Sequence, residues 1–569
     1  MIYLVLEDRK EEMAIKTTSA SKPQTLSIPK PILALPPQPV IKTITPPVVR
    51  SGESGKTLFK LDLKPSVAEI PDFDDITTVD VRYPLIPPYA YVHIFWDPKS
   101  DELIYDVEEP QLSDSERKLF SIVEEGVKEL INVSFIGVKS IDLVIEYLEK
   151  NIKVLLDEMD IKVSDESFIK IMYYIYRNFI GLNEIEPLMS DYYIEDIECN
   201  GSKSPLYIVH RKFRNIRTNI IYENDRILGG FVEKLAQKCG KYISYANPLL
   251  DGRLPDKSRV NATYTQDISS KGPTFTIRKF TSEPWTPVHL MAFKTASSEL
   301  MAYLWLLIEY ERNIMIIGGT GSGKTSLLNA LAFFIPPQAR IVSIEDTAEL
   351  NLVHENWLPS IARAGFGIAT ITGEKHGEVT LFDLLKESFR QRPDYVIVGE
   401  IRGKEANVLF QGAASGHPTI STMHAENVDS MIKRLETAPI SLSASLVESL
   451  DITISIAQTK VGGKAVRRVR EISEILRVGE DGRADINIPF RWDPRRDVHV
   501  FSASSKIFNK LIQQQGINPS VLSREFKART MLLNELFRRQ IFDYKQVQET
   551  ISQYYKTPEK VLRKLNIHV

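Results

Sequence analysis

A glycine-rich octapeptide, GGTGSGKT at residues 318–325, has the residue types and spacing of a phosphate-binding loop. It fits the pattern G-x-x-x-x-G-K-T, follows an apolar run at residues 313–317, and precedes a helical pattern that stops at Pro336-Pro337. Glycines let successive backbone N–H groups point at phosphate oxygens, and the partial charge at the helix N-terminus assists them. The segment therefore predicts a nucleoside triphosphate site.

The residues expected to contact the nucleotide follow from this loop. They are Gly318, Gly319, Thr320, Gly321, Ser322, Gly323, Lys324, Thr325 and Ser326. The Lys324 ammonium is expected to reach the β- and γ-phosphates, and the Thr325 hydroxyl is expected to be a ligand of Mg²⁺.

Two further apolar runs end in carboxylates. The run RIVSIEDTAEL carries Glu345 and Asp346, and the run PDYVIVGEIR carries Glu400. Because ligands of a doubly wound sheet lie beyond the carboxyl ends of its strands, both acids are expected to face the triphosphate. We expect Glu400 to hold Mg²⁺ through a water molecule and Glu345 to orient or deprotonate the attacking water, although these roles could be exchanged. The alternative is that the acids only cap strand ends.

Two of the nine histidines, His417 and His424, lie seven residues apart in the stretch ASGHPTISTMHAEN. A metal site would need a third ligand of fixed geometry, and none is evident at suitable spacing. We expect His424, at the carboxyl end of a predicted strand, to face the γ-phosphate side beside Glu400 and to sense hydrolysis. His417, at the other end of the strand, is expected to fix a turn. A purely structural pair is the alternative.

The composition narrows the class of protein. The chain has 569 residues, of which 43% are hydrophobic and 25% charged, and its net charge of −3 argues against a non-specific DNA coat. Its two cysteines, Cys199 and Cys239, form no CxxC pair, so a four-cysteine zinc site is excluded. No secretory signal is visible, and charges interrupt the apolar windows before they reach the length of a membrane span. We therefore expect a soluble protein with reduced thiols that could dock at a membrane.

The pattern changes along the chain. Residues 17–50 contain eight prolines, which predicts a mobile tether or a partner-binding arm. Two apolar strands about a polar turn are expected at residues 89–109, helices at 113–180, and strands with one helix at 188–280. From about residue 298 helices and apolar strands alternate, as is typical of a parallel α/β sheet, and the C-terminal residues are polar and helical.

These segments together resemble the secretion and type IV pilus motor ATPases, a family that includes pilus assembly, pilus retraction, type II secretion and archaellum ATPases. The resemblance rests on the phosphate-binding loop, the acidic box IEDTAEL, the segment RQRPDYVIVGEIRGKEA and the histidine box SGHPTISTMHAENVDSMIKRLE. Upstream, DGRLPDKSRVNAT and KGPTFTIRKF are similar to the arginine-bearing N-domain of the family. The resemblance covers about residues 181–474.

The resemblance implies an α/β fold, with a RecA-like P-loop ATPase core built on a doubly wound, mostly parallel sheet. The regions it suggests are a disordered Pro-rich tail (1–80), a strand pair with helices (81–180), a separate α+β N-domain (181–290), the RecA-like ATPase domain (291–503) and a helical extension (504–569). It implies ATP as the nucleotide, with Lys324, Glu345, Glu400 and His424 as catalytic residues. Arginines that could reach phosphates of the same or a neighbouring subunit are Arg253, Arg259 and Arg278, with Arg390 and Arg392 as weaker candidates.

The resemblance also implies partners and a location. We expect a homohexamer that lies in the cytoplasm, peripheral to the inner face of the cell membrane, and that acts with a polytopic membrane platform protein and pilin- or archaellin-type filament machinery. No nucleic acid is expected. The missing four-cysteine zinc subdomain favours archaeal members over bacterial assembly motors, and residues 1–180 match no part of the family.

Two other functions remain open from the sequence. One is a RecA-like nucleic-acid translocase or helicase, although no series of alternating aromatic and basic residues is visible. The other is a regulatory switch that binds a nucleotide without producing force. The basic stretch VGGKAVRRVREI is interpreted as a solvated hairpin that turns at Gly462-Gly463.

Overall fold

The computed structural model describes residues 58–568, apart from residues 63–66, 72, 74, 131–140, 281–282, 364, 366–375, 480–481 and 503. The predicted Pro-rich tail up to residue 57 lies outside the described residues. Near the start of the described residues, Phe59 is only 1% exposed and its ring stacks on Tyr89 with centroids 5.1 Å apart. A tail reaching to residue 80 is therefore too long: Phe59 and Ile70 bury apolar side chains, which a count of prolines does not register.

Nine strands form a first sheet. They are β1 (Asp80–Ile86), β2 (Ala90–Asp97), β3 (Glu102–Glu108), β4 (Ile194–Cys199), β5 (Pro205–His210), β6 (Arg214–Ile221), β7 (Leu249–Arg253), β8 (Arg259–Thr263) and β9 (Thr274–Arg278). Their order is β1-β2-β3-β6-β5-β4-β9-β8-β7, and only β3 and β6 are parallel. The predicted strand pair, β2 and β3, thus joins the same sheet as the later strands, so the predicted division at residue 180 is not a boundary of the sheet.

Five helices accompany this sheet. They are α1 (Asp114–Leu130), α2 (Ile141–Glu158), α3 (Asp165–Ile175), α4 (Glu186–Ser190) and α5 (Asp225–Lys238). The helix predicted within residues 188–280 is confirmed as α5, whose N-cap Asn224 accepts a hydrogen bond from the Ile227 backbone N–H. The apolar side of α5 buries Leu228, Val232 and Leu235 against β7, β8 and β9. The opposite face of these three strands is left free to approach the second sheet.

Nine further strands form a second sheet. They are β10 (Ile314–Ile317), β11 (Ile341–Glu345), β12 (Trp357–Ile361), β13 (Tyr395–Ile401), β14 (Thr419–Met423), β15 (Ile452–Val461), β16 (Lys464–Val478), β17 (Ala484–Asp493) and β18 (Val498–Phe501). The order is β12-β11-β13-β14-β10-β15-β16-β17-β18. The strands from β12 to β15 in this order are parallel and the last three pairings are antiparallel, which confirms the mostly parallel α/β sheet.

The helices of this part are α6 (Pro287–Ala292), α7 (Ser298–Glu309), α8 (Lys324–Ala332), α9 (Leu381–Ser388), α10 (Glu405–Ala414), α11 (Val428–Glu436), α12 (Ala444–Val447), α13 (Lys506–Gln515), α14 (Pro519–Arg538), α15 (Tyr544–Lys556) and α16 (Pro558–Lys564). The central strand β10 is fully buried, as a parallel strand covered on both faces should be. The strand ends where this apolar run ends, and the glycine loop begins there.

The C-terminal helices are packed on this core. Leu532 and Leu536 of α14 are fully buried, and α14 lies along α7. Arg529 of α14 is buried over the Trp305 ring, 4.9 Å from its centroid, and pairs with Glu309. The helical prediction for the C-terminal residues is thus confirmed. Among the described residues, no helix has both the length and the hydrophobicity needed to cross a membrane.

Candidate nucleotide site

The glycine loop joins the buried end of β10 to the first turn of α8. Gly321 and Gly323 have φ angles of 69° and 96°, in the left-handed region that favours glycine. At Gly318 an added Cβ would lie 2.2 Å from the Ile456 carbonyl oxygen, so no other residue fits. The loop therefore needs glycine at Gly321 and Gly323 because of their backbone conformation, and at Gly318 because the Ile456 carbonyl oxygen lies so close.

Lys324 lies inside the loop. It is 8% exposed, and its ammonium donates to the carbonyl oxygens of Gly318 at 3.1 Å and Gly319 at 3.0 Å. Burial lowers the pKa of Lys324. The Ser322 hydroxyl is buried and has no hydrogen-bond partner within the part of the chain that the structure describes. A buried cation, an unsatisfied hydroxyl and a glycine-lined loop fit a phosphate chain.

Thr320 at the tip of the loop is exposed, whereas Thr325 and Ser326 lie half-buried in the first turn of α8. The backbone N–H groups of a helix's first turn have no partner within the helix, so these two residues can offer both N–H groups and hydroxyls to an anion.

The two acids lie on neighbouring strands. Glu345, the last residue of β11, is 2% exposed and accepts the backbone N–H groups of Glu349 at 2.8 Å and Leu350 at 2.9 Å. Burial raises the pKa of Glu345 to about 7, against the opposing effect of these hydrogen bonds. Glu400 on β13 accepts from the Arg402 Nη2 at 2.7 Å. The structure therefore provides one carboxyl that titrates near neutrality and one that is paired with an arginine.

His424 bridges the loop and the second acid. Its Nδ1 lies 3.2 Å from Lys324 Nζ, and its Nε2 lies 3.1 Å from Glu400 Oε1. Because an ammonium can only donate, Nδ1 accepts and the ring proton is left on Nε2, facing the carboxylate. Burial, reinforced by the Lys324 charge, lowers the pKa of His424, which favours this neutral form. His417 lies at the other end of β14, where its ring contacts Phe389 with centroids 5.0 Å apart.

The three arginines of the first sheet stand in register. Arg253 of β7 is opposite Arg259 of β8, which is opposite Arg278 of β9. Arg253 donates to the Asp346 carbonyl oxygen at 2.6 Å and so reaches the acidic box. Arg259 pairs with Asp251, and Arg278 pairs with Asp196 at 3.0 Å. Of the three, Arg253 has a hydrogen bond to the acidic box, and Arg278 lies close enough to Glu349 to interact with its charge.

The weaker arginine candidates are not brought to the site. Arg390 and Arg392 precede β13 and thus lie at the opposite edge of the sheet from the glycine loop. Arg390 is largely exposed and pairs with Glu387 of the preceding helix α9. They lie away from the site because the carboxyl ends of parallel strands, not their amino ends, meet the loop.

Sequence reasoning missed two arginines at the site. Arg402, the residue just after β13, contacts Glu400 and also lies 3.4 Å from the Asp346 carboxylate. Its spacing of two residues from Glu400, at the end of a predicted strand, is a signal that could have found it. Arg467 of β16 donates from Nε to the Gly321 carbonyl oxygen at 3.0 Å. No local pattern marks that contact.

The hairpin predicted at residues 461–472 is confirmed, since Val461 pairs with Lys464 across the turn. Its interpretation as a solvated surface is wrong for two residues. Arg467 lies against the glycine loop, and Arg468 is 3% exposed and paired with Asp497 at 2.8 Å. Both are drawn inward because the hairpin continues the second sheet instead of standing apart from it.

A glycine loop between a buried parallel strand and a helix, with acids from adjacent strands, defines a P-loop nucleotide-binding protein with a RecA-like sheet. A family model described as "Type II/IV secretion system protein" matches residues 181–535. The chain belongs to this family, as its motifs predicted.

Known proteins of several kinds are similar to the chain. The uncharacterized protein MJ0900 of Methanocaldococcus jannaschii is 35% identical over 527 residues, which are 87% of this chain and 94% of that protein. The type IV secretion system protein PtlH of Bordetella pertussis is 31% identical over 268 residues, which are 42% of this chain and 78% of that protein. The crystal structure of the VirB11 ATPase from the Brucella suis type IV secretion system is 24% identical, covers 51% of this chain and 93% of its own, and gives a TM-score of 0.26.

Proposed function

We propose that the protein is an ATP-hydrolysing motor that powers assembly of a type IV pilus-like or archaellum filament, or type II-like secretion. It works as a homohexamer, peripheral to the cytoplasmic face of the cell membrane, with a polytopic membrane platform protein and pilin- or archaellin-type machinery. Membership of the secretion family and the P-loop site support this function. The RecA-like ATPase domain at 291–503, as the engine of this motor, belongs to the same proposal.

One observation carries the motor function: a continuous series of contacts links the nucleotide loop to the first sheet. Its members, in order, are Lys324, His424, Glu400, Arg402, Asp346 and Arg253. A phosphate bound at Lys324 competes with His424 Nδ1 for the Lys324 ammonium. The partners of His424 and Glu400 then change, and Arg402 and Asp346 pass the change to Arg253. The state of the nucleotide is thereby coupled to the contact between the two sheets, which a motor requires.

Each residue of the site has a role in hydrolysis. Lys324 neutralises charge on the β- and γ-phosphates, and Glu345 takes a proton from the attacking water. Thr325, and Glu400 through a water molecule, would hold Mg²⁺, which spreads the charge of the triphosphate when bound. His424 senses the γ-phosphate beside Glu400. Arg253, together with Arg259 and Arg278 on the adjacent strands, supplies permanent positive charge to phosphates of the same or a neighbouring subunit.

The pH dependence of ATP hydrolysis tests the role of Glu345. Only the carboxylate accepts a proton, and its pKa is about 7. We therefore expect kcat/KM for ATP to rise by roughly tenfold per pH unit on the acid side and to level off above about pH 7. Steady-state phosphate release across this range measures it. The Glu345→Gln variant should be nearly inactive and lack the rise, whereas a wild-type profile that is flat through neutrality would exclude Glu345 as the base.

The kind of partner can be tested with the full chain. We expect ATP hydrolysis per subunit to rise with protein concentration, because the proposed homohexamer forms by association of subunits, and to rise further with anionic lipid vesicles. Single-stranded DNA should have no effect. The Lys324→Ala variant, assayed in parallel, corrects for contaminating ATPases. Strong stimulation by single-stranded DNA, with none by vesicles, would replace the filament motor with a nucleic-acid translocase.

A further inference from the structure

The order of the second sheet divides the surroundings of the glycine loop into two sides. On one side of β10 lie β14, β13 and β11; His424 directly follows β14, and Glu400 and Glu345 lie near the carboxyl ends of β13 and β11. On the other side lie β15 and β16, which carry Arg467. If the proposed ATP site is correct, the γ-phosphate lies on the side of the acids. The rest of the nucleotide must then extend across the loop toward β15 and β16.

Arg467 is held closely against the loop on that second side. Its Nε donates to the Gly321 carbonyl oxygen at 3.0 Å. An added Cβ at Gly323 would lie 3.2 Å from Arg467 Cδ, so the side chain lies over the turn that leads into α8. The contact fixes the stem and one edge of the guanidinium. Within the described part of the chain, the two Nη groups have no partner.

The neighbouring arginines of β16 have different surroundings. Arg468 points the other way, is buried, and is fully used by Asp497 and the Phe293 carbonyl oxygen. Arg470 falls in the β-bulge between the pairs Ser455–Glu471 and Ile456–Val469, and it is exposed. Arg467 alone combines a fixed position beside the loop with donors that remain available. A guanidinium whose two Nη groups are available is suited to bind a phosphate oxygen.

We propose that Arg467 is a nucleotide-binding residue that contacts the α-phosphate end of the bound nucleotide. This assignment rests on the proposed ATP site. It places Arg467 at the end of the nucleotide that is farther from Lys324 and Glu400. ATP and ADP share the α-phosphate, so Arg467 contributes equally to both. It binds the nucleotide and takes no part in the transfer of the γ-phosphate.

Calorimetric titration of the full chain with ATP and with ADP, in the presence of Mg²⁺, tests the assignment. We expect Arg467→Ala to weaken both nucleotides by the same factor, roughly 10- to 100-fold, the usual effect of losing a hydrogen bond to a charged group. KM for ATP should rise correspondingly while kcat at saturation changes by less than about threefold. Arg467→Lys, which keeps the charge, should recover part of the affinity. Arg470→Ala is the matched control and should bind as the wild type does.

Several results would overturn the assignment. They are unchanged affinities for Arg467→Ala, a loss confined to ATP, which would put the residue at the γ-phosphate, or an equal loss in Arg470→Ala. Thermal melting without nucleotide identifies an unfolded variant, in which case Arg467→Lys decides. The proposed ATP site is tested separately by the wild type and Lys324→Ala. If the wild type binds ATP and Lys324→Ala does not, while Arg467→Ala binds normally, only the role of Arg467 is wrong.

Discussion

Glu400→Gln is expected to abolish ATP turnover while leaving ATP binding intact. The amide keeps the shape of the side chain and can still accept from Arg402, but it loses the charge that faces His424 and would hold Mg²⁺ through water. We expect kcat to fall by about 100-fold or more, in the range typical for removing one charge-stabilising group from an active site.

Phosphate release at saturating ATP and calorimetric binding measure the two halves of this prediction. Glu426→Gln is a suitable control, because Glu426 is exposed two residues after His424 and should retain full turnover. Wild-type turnover in Glu400→Gln would show that the acid on β13 is structural. Loss of ATP binding would place Glu400 in nucleotide affinity instead of catalysis.

Lys324→Ala is expected to remove both ATP binding and turnover. The ammonium is the buried cation of the loop, and the carbonyl oxygens of Gly318 and Gly319 would be left without their donor. Because charge-assisted contacts to phosphates are among the strongest in proteins, we expect ATP affinity to fall by roughly 100-fold or more.

Thermal melting with and without ATP checks this second prediction. A ligand that binds only the folded state raises the melting temperature, so ATP should stabilise the wild type and leave Lys324→Ala unchanged. Lys433→Ala, at an exposed position of α11, is the control and should be stabilised like the wild type. A Lys324→Ala variant that ATP still stabilises fully would contradict a P-loop role for this lysine.

The position of a site residue could be predicted from the sequence where it depends only on the end of a single strand. Glu345, Glu400 and His424 each follow an apolar run, and the carboxyl ends of parallel strands meet at one edge of a sheet. The proximity of His424 and Glu400 to Lys324 therefore followed once the runs were recognised as strands, and Glu345 lies on the strand next to that of Glu400. Their chemical roles remain predictions.

Features that depend on strand order could not be predicted. Arg467 is more than 140 residues from Gly321 in sequence, and their contact exists because β15 pairs with β10 and β16 with β15. Likewise, the parallel pairing of β3 with β6 merges two predicted regions into one sheet. Hydrophobic periodicity marks a strand and its buried face, but it carries no information about which strand lies beside it. Nonlocal partners had to come from the structure.

The row of Arg253, Arg259 and Arg278 gives the first sheet a regular spacing along its free face. Adjacent strands lie about 4.8 Å apart, so the three guanidinium stems repeat at that interval. Arg253 now occupies the place opposite Asp346. Arg259 and Arg278 are held instead by Asp251 and Asp196, each on a neighbouring strand of the first sheet. The same row of arginines therefore ties the first sheet to the second at one end and links neighbouring strands of the first sheet along the rest.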